Sequence, residues 1–254
     1  MNPILITEIV KTALIEDVQS GDITSEAIFQ DNSLTSGEFI AKATGIVAGL
    51  PIVAEVFRQL DPQIVFAINK PDGTKIFPKD LVAQVTGPVR TILTGERVAL
   101  NFLRRLSGIA SQTARMVELI EGLPVKIVDT RKTTPGLRML EKYAVRQGGG
   151  FNHRFNLADA VLIKDNHIAA CGSIREAVRR ARQYIPHTMT IEVEVENEAQ
   201  LREALTAGAD IILLDNIAPA EMSRLVGLIK TLTPAGQRIL IEASGNIDES
   251  NVQA

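Results

Sequence analysis

A concentration of basic residues marks the stretch from Asp129 to His167, which reads DTRKTTPGLRMLEKYAVRQGGGFNHRFNLADAVLIKDNH. Only two acids lie between its first residue and its closing Lys-Asp pair, although the whole chain has a net charge of −3. Clustered cations in a cleft attract and orient small anionic ligands. The stretch therefore predicts a pocket for a small, multiply anionic ligand. Its cations are Arg131, Lys132, Arg138, Lys142, Arg146, Arg154 and Lys164.

Part of this charge has a simpler interpretation as a solvated helix face. Three of the cations recur every four residues from Arg138 to Arg146, which places them together on the exposed side of a helix. The other four follow predicted strand ends or turns, where loops on a rigid scaffold commonly carry function. The candidates for ligand binding are Arg131, Lys132, Arg154 and Lys164.

The elements that must position these residues alternate regularly from Lys126 onward. Five short apolar runs predict strands: KIVDT, DAVLIKD, TIEVEVE, ADIILLDN and RILIEASG. Most are followed by a helix with its own start signal, and these signals are Pro135, Ser173 with Glu176, Asn197 and Pro219. Alternating strands and helices indicate parallel strands with right-handed crossovers. If the strands close into a barrel, an active site is expected at their C-terminal ends.

The strand TIEVEVE carries the most information about that site. Its alternation puts Glu192, Glu194 and Glu196 on one face, which we expect to look into the barrel. A buried carboxylate needs a partner, and Lys164 from the neighbouring strand is the obvious one. Glu194, and Asp215 at the end of the next strand, could stabilise an oxocarbenium-like transition state or hold sugar hydroxyls and a divalent metal.

The sequence EASGN, at the end of the fifth predicted strand, resembles a phosphate-binding loop. Small residues such as those around Ser244 free backbone N–H groups to bind an oxyanion. The three histidines show no zinc-binding spacing, so a protein-held zinc site is not expected. Dinucleotide-binding and P-loop glycine patterns are also missing from the sequence.

The N-terminal half predicts a mixed α+β layer. We expect a helix over residues 5–17, a short helix capped by Asp22 or Thr24, and a helix opened by Pro51. Strands are expected between and after these helices. A long helix capped by Thr94 should run from Gly95 to about Glu121, with a kink or a break at Ser107-Gly108. Arg97 would then lie in its first turn, and the sequence leaves open whether it is solvated or points into a pocket.

Composition excludes several classes of protein. With 45% hydrophobic and 22% charged residues, the 254-residue chain is typical of a globular protein with a large core. The net acidity and the 4% aromatic content argue against nucleic-acid binding. The one cysteine, Cys171, lies among small residues and suggests buried filler in a reducing compartment. No apolar run is long enough to span a bilayer, and we expect a cytoplasmic location.

Several motifs together resemble the quinolinate phosphoribosyltransferase family, also called nicotinate-nucleotide pyrophosphorylase (carboxylating). They are EDVQSGDITSEA, DTRKTTPGLRMLEKYAVRQGGGFNHR, LIKDNH, EVEVE, LLDN and EASGN, and they span essentially the whole chain. The resemblance implies an N-terminal α/β sandwich, an open α/β barrel of parallel strands, and a homodimer with shared active sites. It implies that quinolinate and phosphoribosyl pyrophosphate, with Mg²⁺, give nicotinate mononucleotide, pyrophosphate and carbon dioxide during NAD synthesis, without an organic cofactor.

The resemblance also implies roles for individual residues. Lys132, Lys164, Glu194 and Asp215 would be catalytic, and the two acids would hold the metal directly or through substrate or water. Arg97 would come from the partner subunit, and Thr130 would assist Arg131. The substrate-binding set would be Arg97, Thr130, Arg131, Lys132, His153, Arg154, Lys164, Glu194, Asp215, Ser244, Gly245 and Asn246.

The expected domains are a sandwich over residues 1–107 and a phosphoribosyltransferase barrel over residues 108–254. Two features depart from the family pattern. Asn246 stands where a second glycine is more usual, so we expect a slightly altered phosphate loop. Family members also continue through a further strand and helix beyond the position of Ala254. We therefore expect a barrel that lacks this last unit, with an exposed parallel edge, lower stability and weak or no activity.

Three alternative functions remain open from the sequence. One is a pyrophosphorylase-like relative associated with molybdenum transport, which has the same fold. Another is an aldolase in which Lys164 forms a Schiff base, which requires a lysine in an apolar niche. The third is a non-enzymatic barrel that binds a phosphorylated sugar without turnover.

Overall fold

The computed structural model describes residues 1–29 and 33–254. This part of the chain divides into two compact units, Met1–His153 and Arg154–Ala254. Each unit has a hydrophobic core of its own. None of the helices in the described ranges is both long enough and apolar enough to cross a membrane.

The first unit combines helices with two small antiparallel sheets. The helices are α1 (Pro3–Val18), α2 (Ile23–Ile28), α3 (Leu50–Leu60), α4 (Val89–Leu119) and α5 (Arg138–Gln147). The strands are β1 (Leu34–Ile40), β2 (Gly45–Ile46), β3 (Val65–Ile68), β4 (Lys75–Ile76) and β5 (Leu81–Pro88). The strands β1, β5 and β3 form one sheet in that order, and β2 pairs with β4. The predicted α+β layer is therefore confirmed.

Local sequence signals explain where the short helices of this unit begin. Of the two predicted caps for α2, Asp22 is the one used, since its Oδ1 accepts a hydrogen bond from the backbone N–H of Ser25 at 3.1 Å. Pro51 lies in the first turn of α3, where a missing N–H costs nothing. The fully buried Phe57 of α3 then packs edge-on against Phe39 of β1, with ring centroids 6.2 Å apart.

Two predictions about α4 are wrong. The helix begins at Val89 rather than after Thr94, because Pro88 ends β5 by lacking the N–H that a further ladder bond would need, and it then serves as the N-cap of α4. The helix also continues through Ser107 and Gly108. The Ser107 hydroxyl accepts a hydrogen bond from the backbone N–H of Ala48 at 3.0 Å, so it ties α4 to the chain before α3 instead of breaking the helix.

The predicted strand KIVDT is also wrong. Between Lys126 and Asp129 the chain forms only an isolated parallel bridge, from Val128 to Phe151. The predicted helix α5 follows, but it begins at Arg138 and not at Pro135, because residues 135–137 form a turn. It ends at a glycine that allows close packing: a Cβ on Gly148 would lie 2.3 Å from the carbonyl oxygen of Ala110 in α4.

The second unit is a four-stranded parallel sheet with helices between its strands. Its strands are β6 (Val161–Ile163), β7 (Ile191–Val195), β8 (Ile211–Asp215) and β9 (Leu240–Ser244). Its helices are α6 (Asp165–Cys171), α7 (Ile174–Tyr184), α8 (Glu198–Ala207) and α9 (Pro219–Leu232). The strand order is β6-β7-β8-β9, so the predicted parallel strands with helical crossovers are confirmed.

The predicted start signals of three helices in this unit are confirmed. Ser173 and Asn197 each accept a hydrogen bond from a backbone N–H three residues later, and Pro219 opens α9. The short helix α6 was not predicted. Cys171 at its end is half-buried, so it is only partly the buried filler that its small neighbours suggested.

Candidate active site

Arg131 and Lys132 lie in a loop between the Val128 bridge and α5. The Thr130 hydroxyl accepts a hydrogen bond from the backbone N–H of Lys132 at 3.0 Å, and this contact folds the loop back on itself. Lys132 is exposed, whereas Arg131 is half-buried. The Arg131 Nε is buried and has no hydrogen-bond partner within residues 1–29 and 33–254. A buried guanidinium donor is costly to leave unsatisfied, so it favours an anionic acceptor.

Side chains from helices fix the second half of this loop. Arg138, at the start of α5, donates from its Nε to the Thr133 hydroxyl at 3.0 Å. The buried Glu141 accepts a hydrogen bond from the backbone N–H of Thr134 at 3.2 Å and pairs with Arg105 of α4 at 2.5 Å. The loop that carries the candidate cations is therefore held by charged groups of two helices.

Lys142 holds the first half of the loop, and its predicted place on the exposed helix face is wrong. Its side chain is fully buried, and its Nζ forms a short ion pair with Asp129 Oδ1. The Lys142 Nζ also donates to the carbonyl oxygen of His153 at 3.0 Å. The backbone N–H of His153 donates to Asp129 Oδ1 at 2.8 Å. The two ends of the motif, Asp129 and His153, are thus brought together.

Arg97 is exposed and lies in the third turn of α4, not in the first turn of a helix as predicted. It borders a cleft of about 320 Å³ that is also lined by Asp17, Asp22 and Thr94. The side-chain and backbone hydrogen bonds from Ser25 hold the pKa of Asp22 below its usual range. The cations of the 130–132 loop are not among the residues that line this cleft.

In the second unit, Lys164 and Glu194 form the predicted ion pair. Lys164 immediately follows β6, and its Nζ lies 2.9 Å from Glu194 Oε2 of β7. β7 lies between β6 and β8, which excludes an edge strand with solvated glutamates. The predicted inward face is only partly correct, since Glu192 is buried but Glu196 lies beyond the strand end and is exposed.

Asp215, at the end of β8, is held by its neighbours on both oxygens. The Ser244 hydroxyl donates to Asp215 Oδ1 at 2.6 Å, and the Asn216 amide donates to Asp215 Oδ2 at 2.7 Å. The register of the sheet pairs Leu213 with both Glu194 and Glu242. Glu194, Asp215, Glu242 and Ser244 therefore share one face of the sheet.

The EASGN loop follows β9 and depends on its glycine. Gly245 has a φ of +87°, and a Cβ there would lie 2.2 Å from Asn216 Oδ1. Asn246 is also left-handed, with a φ of +55°, and its amide donates to Asn216 Oδ1 at 3.2 Å. The asparagine thus adopts a conformation that a second glycine would adopt without strain.

Arg154 begins the second unit and is half-buried. Its Nη1 donates to the carbonyl oxygen of Ala160 at 3.1 Å, which closes the loop before β6.

Two acids on the inner sheet face, Glu192 and Glu242, received no role from the sequence. Their carboxylate oxygens lie within 4.8 Å of each other. The TIEVEVE alternation had signalled Glu192, whereas the lone acid of RILIEASG gave no comparable pattern.

Each unit offers chemical groups that suit an enzyme acting on anionic, phosphorylated ligands. The first offers guanidinium and ammonium groups on a braced loop. The second offers a lysine, several carboxylates and a small-residue loop at the C-terminal ends of parallel strands, where α/β enzymes bind their ligands.

Comparison with known proteins identifies the family. The family model for the quinolinate phosphoribosyl transferase C-terminal domain matches residues 109–254, and that for the N-terminal domain matches residues 22–107. The chain therefore belongs to the quinolinate phosphoribosyl transferase family, and the resemblance seen in the sequence is confirmed.

Individual relatives and solved structures agree. The chain is 48% identical over 254 residues to the probable nicotinate-nucleotide pyrophosphorylase [carboxylating] of Bacillus subtilis (strain 168), covering 100% of this chain and 86% of that protein. It is 38% identical over 252 residues to the Homo sapiens enzyme of the same name, covering 98% and 82%. The crystal structure of NadC from Streptococcus pyogenes matches with a TM-score of 0.93 at 47% identity, covering 100% of this chain and 87% of that one.

Proposed function

We propose that the cationic loop of the first unit and the strand-end groups of the second act in a single reaction. The reaction follows from the family, and the prediction made for it is confirmed. The chain is a phosphoribosyltransferase of NAD synthesis. It converts quinolinate and phosphoribosyl pyrophosphate into nicotinate mononucleotide, pyrophosphate and carbon dioxide.

Arg131, His153 and Arg154 bind the two carboxylates of quinolinate in this proposal. The observation that carries it is the buried Arg131 Nε, for which the described residues offer no acceptor. A planar guanidinium matches a carboxylate in a two-point contact, which makes arginine suited to orienting a dicarboxylate ring. Thr130 assists by shaping the turn between Arg131 and Lys132.

Lys132 and Lys164 contact the diphosphate of the second substrate. A lysine acts as a point charge that suits phosphate oxygens, and both side chains are exposed enough to reach a ligand. The Lys164–Glu194 ion pair fixes the ammonium at the end of β6. Charge placed there stabilises the pyrophosphate as it leaves.

Glu194 and Asp215 act on the ribose. As the bond to pyrophosphate breaks, positive charge develops on the ribosyl ring, and nearby carboxylates stabilise it. The quinolinate nitrogen then bonds to that carbon and becomes positive. The positive nitrogen stabilises the electron pair left on the adjacent ring carbon when its carboxylate departs as carbon dioxide, and that carbon then takes up a proton from water. Ser244, Gly245 and Asn246 bind the 5′-phosphate through backbone N–H groups of the small-residue loop.

Mg²⁺ fits the donor set of the second unit. Carboxylate oxygens are the ligands that this ion prefers, and it usually keeps several waters and binds substrate phosphates. Because both Asp215 oxygens already accept hydrogen bonds and Glu194 holds Lys164, these acids contact the ion through water or substrate. When bound, Mg²⁺ supplies positive charge to the diphosphate.

We further propose a homodimer in which Arg97 serves the site of the partner subunit. Arg97 is exposed, and the cleft that it borders contains no other candidate site residue.

We also propose a cytoplasmic location, no organic cofactor, and a domain boundary between residues 107 and 108. The ranges of the two family models support this boundary, although it falls within α4.

The aldolase alternative is disfavoured by the surroundings of Lys164. Its amine lies 2.9 Å from a carboxylate and is partly exposed, whereas a Schiff-base lysine requires an apolar niche. The molybdenum-associated alternative finds no support in the relatives named above, which are called carboxylating pyrophosphorylases.

Replacing Arg131 tests the residue assignment. Because a hydrogen bond to a charged group contributes about 1.5–3 kcal/mol, we expect Arg131→Ala to lower kcat/KM for quinolinate by about 10- to 100-fold. Arg146→Ala is the matched control, since Arg146 is exposed and stacks on Phe151. Steady-state kinetics on both variants would contradict the assignment if they lost activity equally or not at all.

A further inference from the structure

The Lys142–Asp129 ion pair joins the two segments that carry the candidate residues of the first unit. Asp129 immediately precedes Thr130-Arg131-Lys132, and Lys142 lies on α5. His153 is gripped at both of its backbone groups: its N–H donates to Asp129 Oδ1 at 2.8 Å, and its C=O accepts from Lys142 Nζ at 3.0 Å. With its amide nitrogen turned toward acceptors, Asn152 also donates to Asp129 Oδ2 at 2.8 Å.

The side chains of Asp129 and Lys142 hold together two segments that a β-ladder would normally join. The segment 126–129 forms one isolated bridge instead of a strand, and segment 151–153 contributes only the other side of that bridge. The backbone bonds between them are those of Asp129 N–H to the Phe151 carbonyl, at 3.0 Å, and of Phe151 N–H to the Ile127 carbonyl, at 2.9 Å. Beyond Phe151 the Asp129 and Lys142 side chains hold His153, and the Asn152 amide donates to Asp129 Oδ2 and to the Lys142 carbonyl oxygen.

Stability alone does not account for such a pair. Lys142 is fully buried and the Asp129 side chain is only 7% exposed, so both charges are removed from water at a large cost. Apolar residues of similar volume often stabilise a core as well or better. An apolar pair cannot form directional hydrogen bonds, so it cannot hold a backbone N–H and a C=O in fixed positions.

Glu141, which precedes Lys142 on α5, binds the same loop further along the chain. Glu141 accepts from the backbone N–H of Thr134, while Lys142 holds Asp129. Adjacent residues of one helix therefore anchor both ends of the loop that carries Arg131 and Lys132.

We propose that Asp129 and Lys142 are positioning residues that fix His153 and the 130–132 loop for substrate binding. The proposal rests on the proposed roles of Arg131 and His153. It predicts that removing the pair damages substrate binding more than it damages folding.

The main variant is the double substitution Asp129→Asn with Lys142→Met, which removes both charges and keeps both side-chain volumes. We expect a folded protein whose kcat/KM for quinolinate falls at least tenfold, with a raised KM for quinolinate. The matched control is Leu106→Ala, a cavity in the buried core of the same unit. It should lower the melting temperature without changing the KM, because a structural lesion reduces the amount of active enzyme instead.

A spectroscopic readout makes the test independent of activity. The chain has three histidines, and His167 and His187 belong to the second unit. In ¹⁵N-labelled protein the ring signals of His153 should shift or broaden in the double variant, whereas those of His167 and His187 should stay. If the wild-type chain makes no product, the proposed function fails, and the His153 signal still decides whether the pair positions that residue.

Other outcomes are equally decisive. A folded double variant with an unchanged His153 signal and wild-type kinetics would overturn the proposal. If the double variant does not fold, Asp129→Glu alone is the second test, since it keeps a negative charge opposite the buried Lys142 and displaces the carboxylate from the His153 N–H by one methylene. It should show a smaller shift and a smaller loss of kcat/KM. Wild-type behaviour in that variant, or failure of both variants to fold, would assign the pair to folding alone.

Discussion

At the scale of single residues, the account depends on side chains whose hydrogen-bonding capacity is used in a specific way. The Asp215 carboxylate is held by Ser244 and Asn216, and Lys164 is paired with Glu194. Each of these groups lies at a strand end, so its backbone is fixed by the sheet and its side chain by one or two neighbours. Such groups are oriented before a ligand arrives, which is what electrostatic catalysis requires.

A comparison of Gly245 with Gly236 separates the effect of backbone strain from that of steric contact. Gly245→Ala forces a Cβ to within 2.2 Å of Asn216 Oδ1 at a φ of +87°, and Gly236→Ala imposes nearly the same φ, +88°, with no atom within 4 Å. The backbone strain alone costs about 1 kcal/mol. We expect Gly236→Ala to lose about that much stability and keep its activity.

Gly245→Ala should lose more stability and should raise the KM for phosphoribosyl pyrophosphate, because Asn216 must leave its contact with Asp215. Urea unfolding and steady-state kinetics on the two variants measure these effects. Equal behaviour of the two variants would show that the contact with Asn216 is unimportant.

At the scale of elements, charged and polar bridges hold α5 against the rest of the first unit. The Tyr143 hydroxyl of α5 donates to Asp72 Oδ2 at 2.7 Å, and Asp72 also accepts from the backbone N–H groups of Gly49 and Leu50 at the start of α3. One carboxylate thus connects two helices. The same helix carries Glu141 and Lys142, so its position sets that of the cationic loop.

The hydrogen bond between Tyr143 and Asp72 makes the stability of the fold depend on pH. Burial, and then the hydrogen bond to Asp72, raise the pKa of Tyr143 above its ordinary value of about 10. A raised folded-state pKa means that the unfolded chain loses this proton first. The stability contributed by Tyr143 is therefore complete below about pH 10 and is lost as the pH rises toward the folded value.

The phenol absorbance can report this directly, because the chain has two tyrosines and no tryptophan. In a Tyr184→Phe variant the remaining signal belongs to Tyr143. We expect its ionisation above the ordinary range and coupled to loss of helical circular dichroism. Asp72→Ala in the same background should move the ionisation to lower pH. Ionisation near pH 10 with the fold intact would contradict the burial and the bond.

At the scale of the whole molecule, sequence reasoning predicted the class of fold and the strand-end chemistry. Regular alternation of β6 to β9 with capped helices was enough to predict a parallel sheet, and TIEVEVE predicted the Lys164–Glu194 pair. Spacing could not place Lys142, because four-residue spacing describes a helix face without saying what covers it. KIVDT has strand-like residues, but only one bridge forms there, so tertiary contacts overrode propensity.

The proposed homodimer is testable by mixing. In an isologous dimer with shared sites, Arg97→Ala and Lys164→Ala damage different halves of each site, so a mixed dimer has one intact site. Co-expressed variants should therefore recover up to about a quarter of wild-type activity, since about half the dimers are mixed. Each variant alone should be nearly inactive. An inactive mixture, with dimers confirmed by light scattering, would mean that Arg97 and Lys164 of the same subunit serve one site, which would contradict the shared-site dimer.

The most direct test of the central claim is a product assay on the wild-type chain with Mg²⁺ and phosphoribosyl pyrophosphate. Quinolinate is added to one reaction and nicotinate to another, and products are separated by chromatography while released carbon dioxide is measured. We predict nicotinate mononucleotide and carbon dioxide in equal amounts from quinolinate, and no nucleotide from nicotinate. A folded protein that forms no product from quinolinate, or that uses nicotinate equally well, would contradict the account.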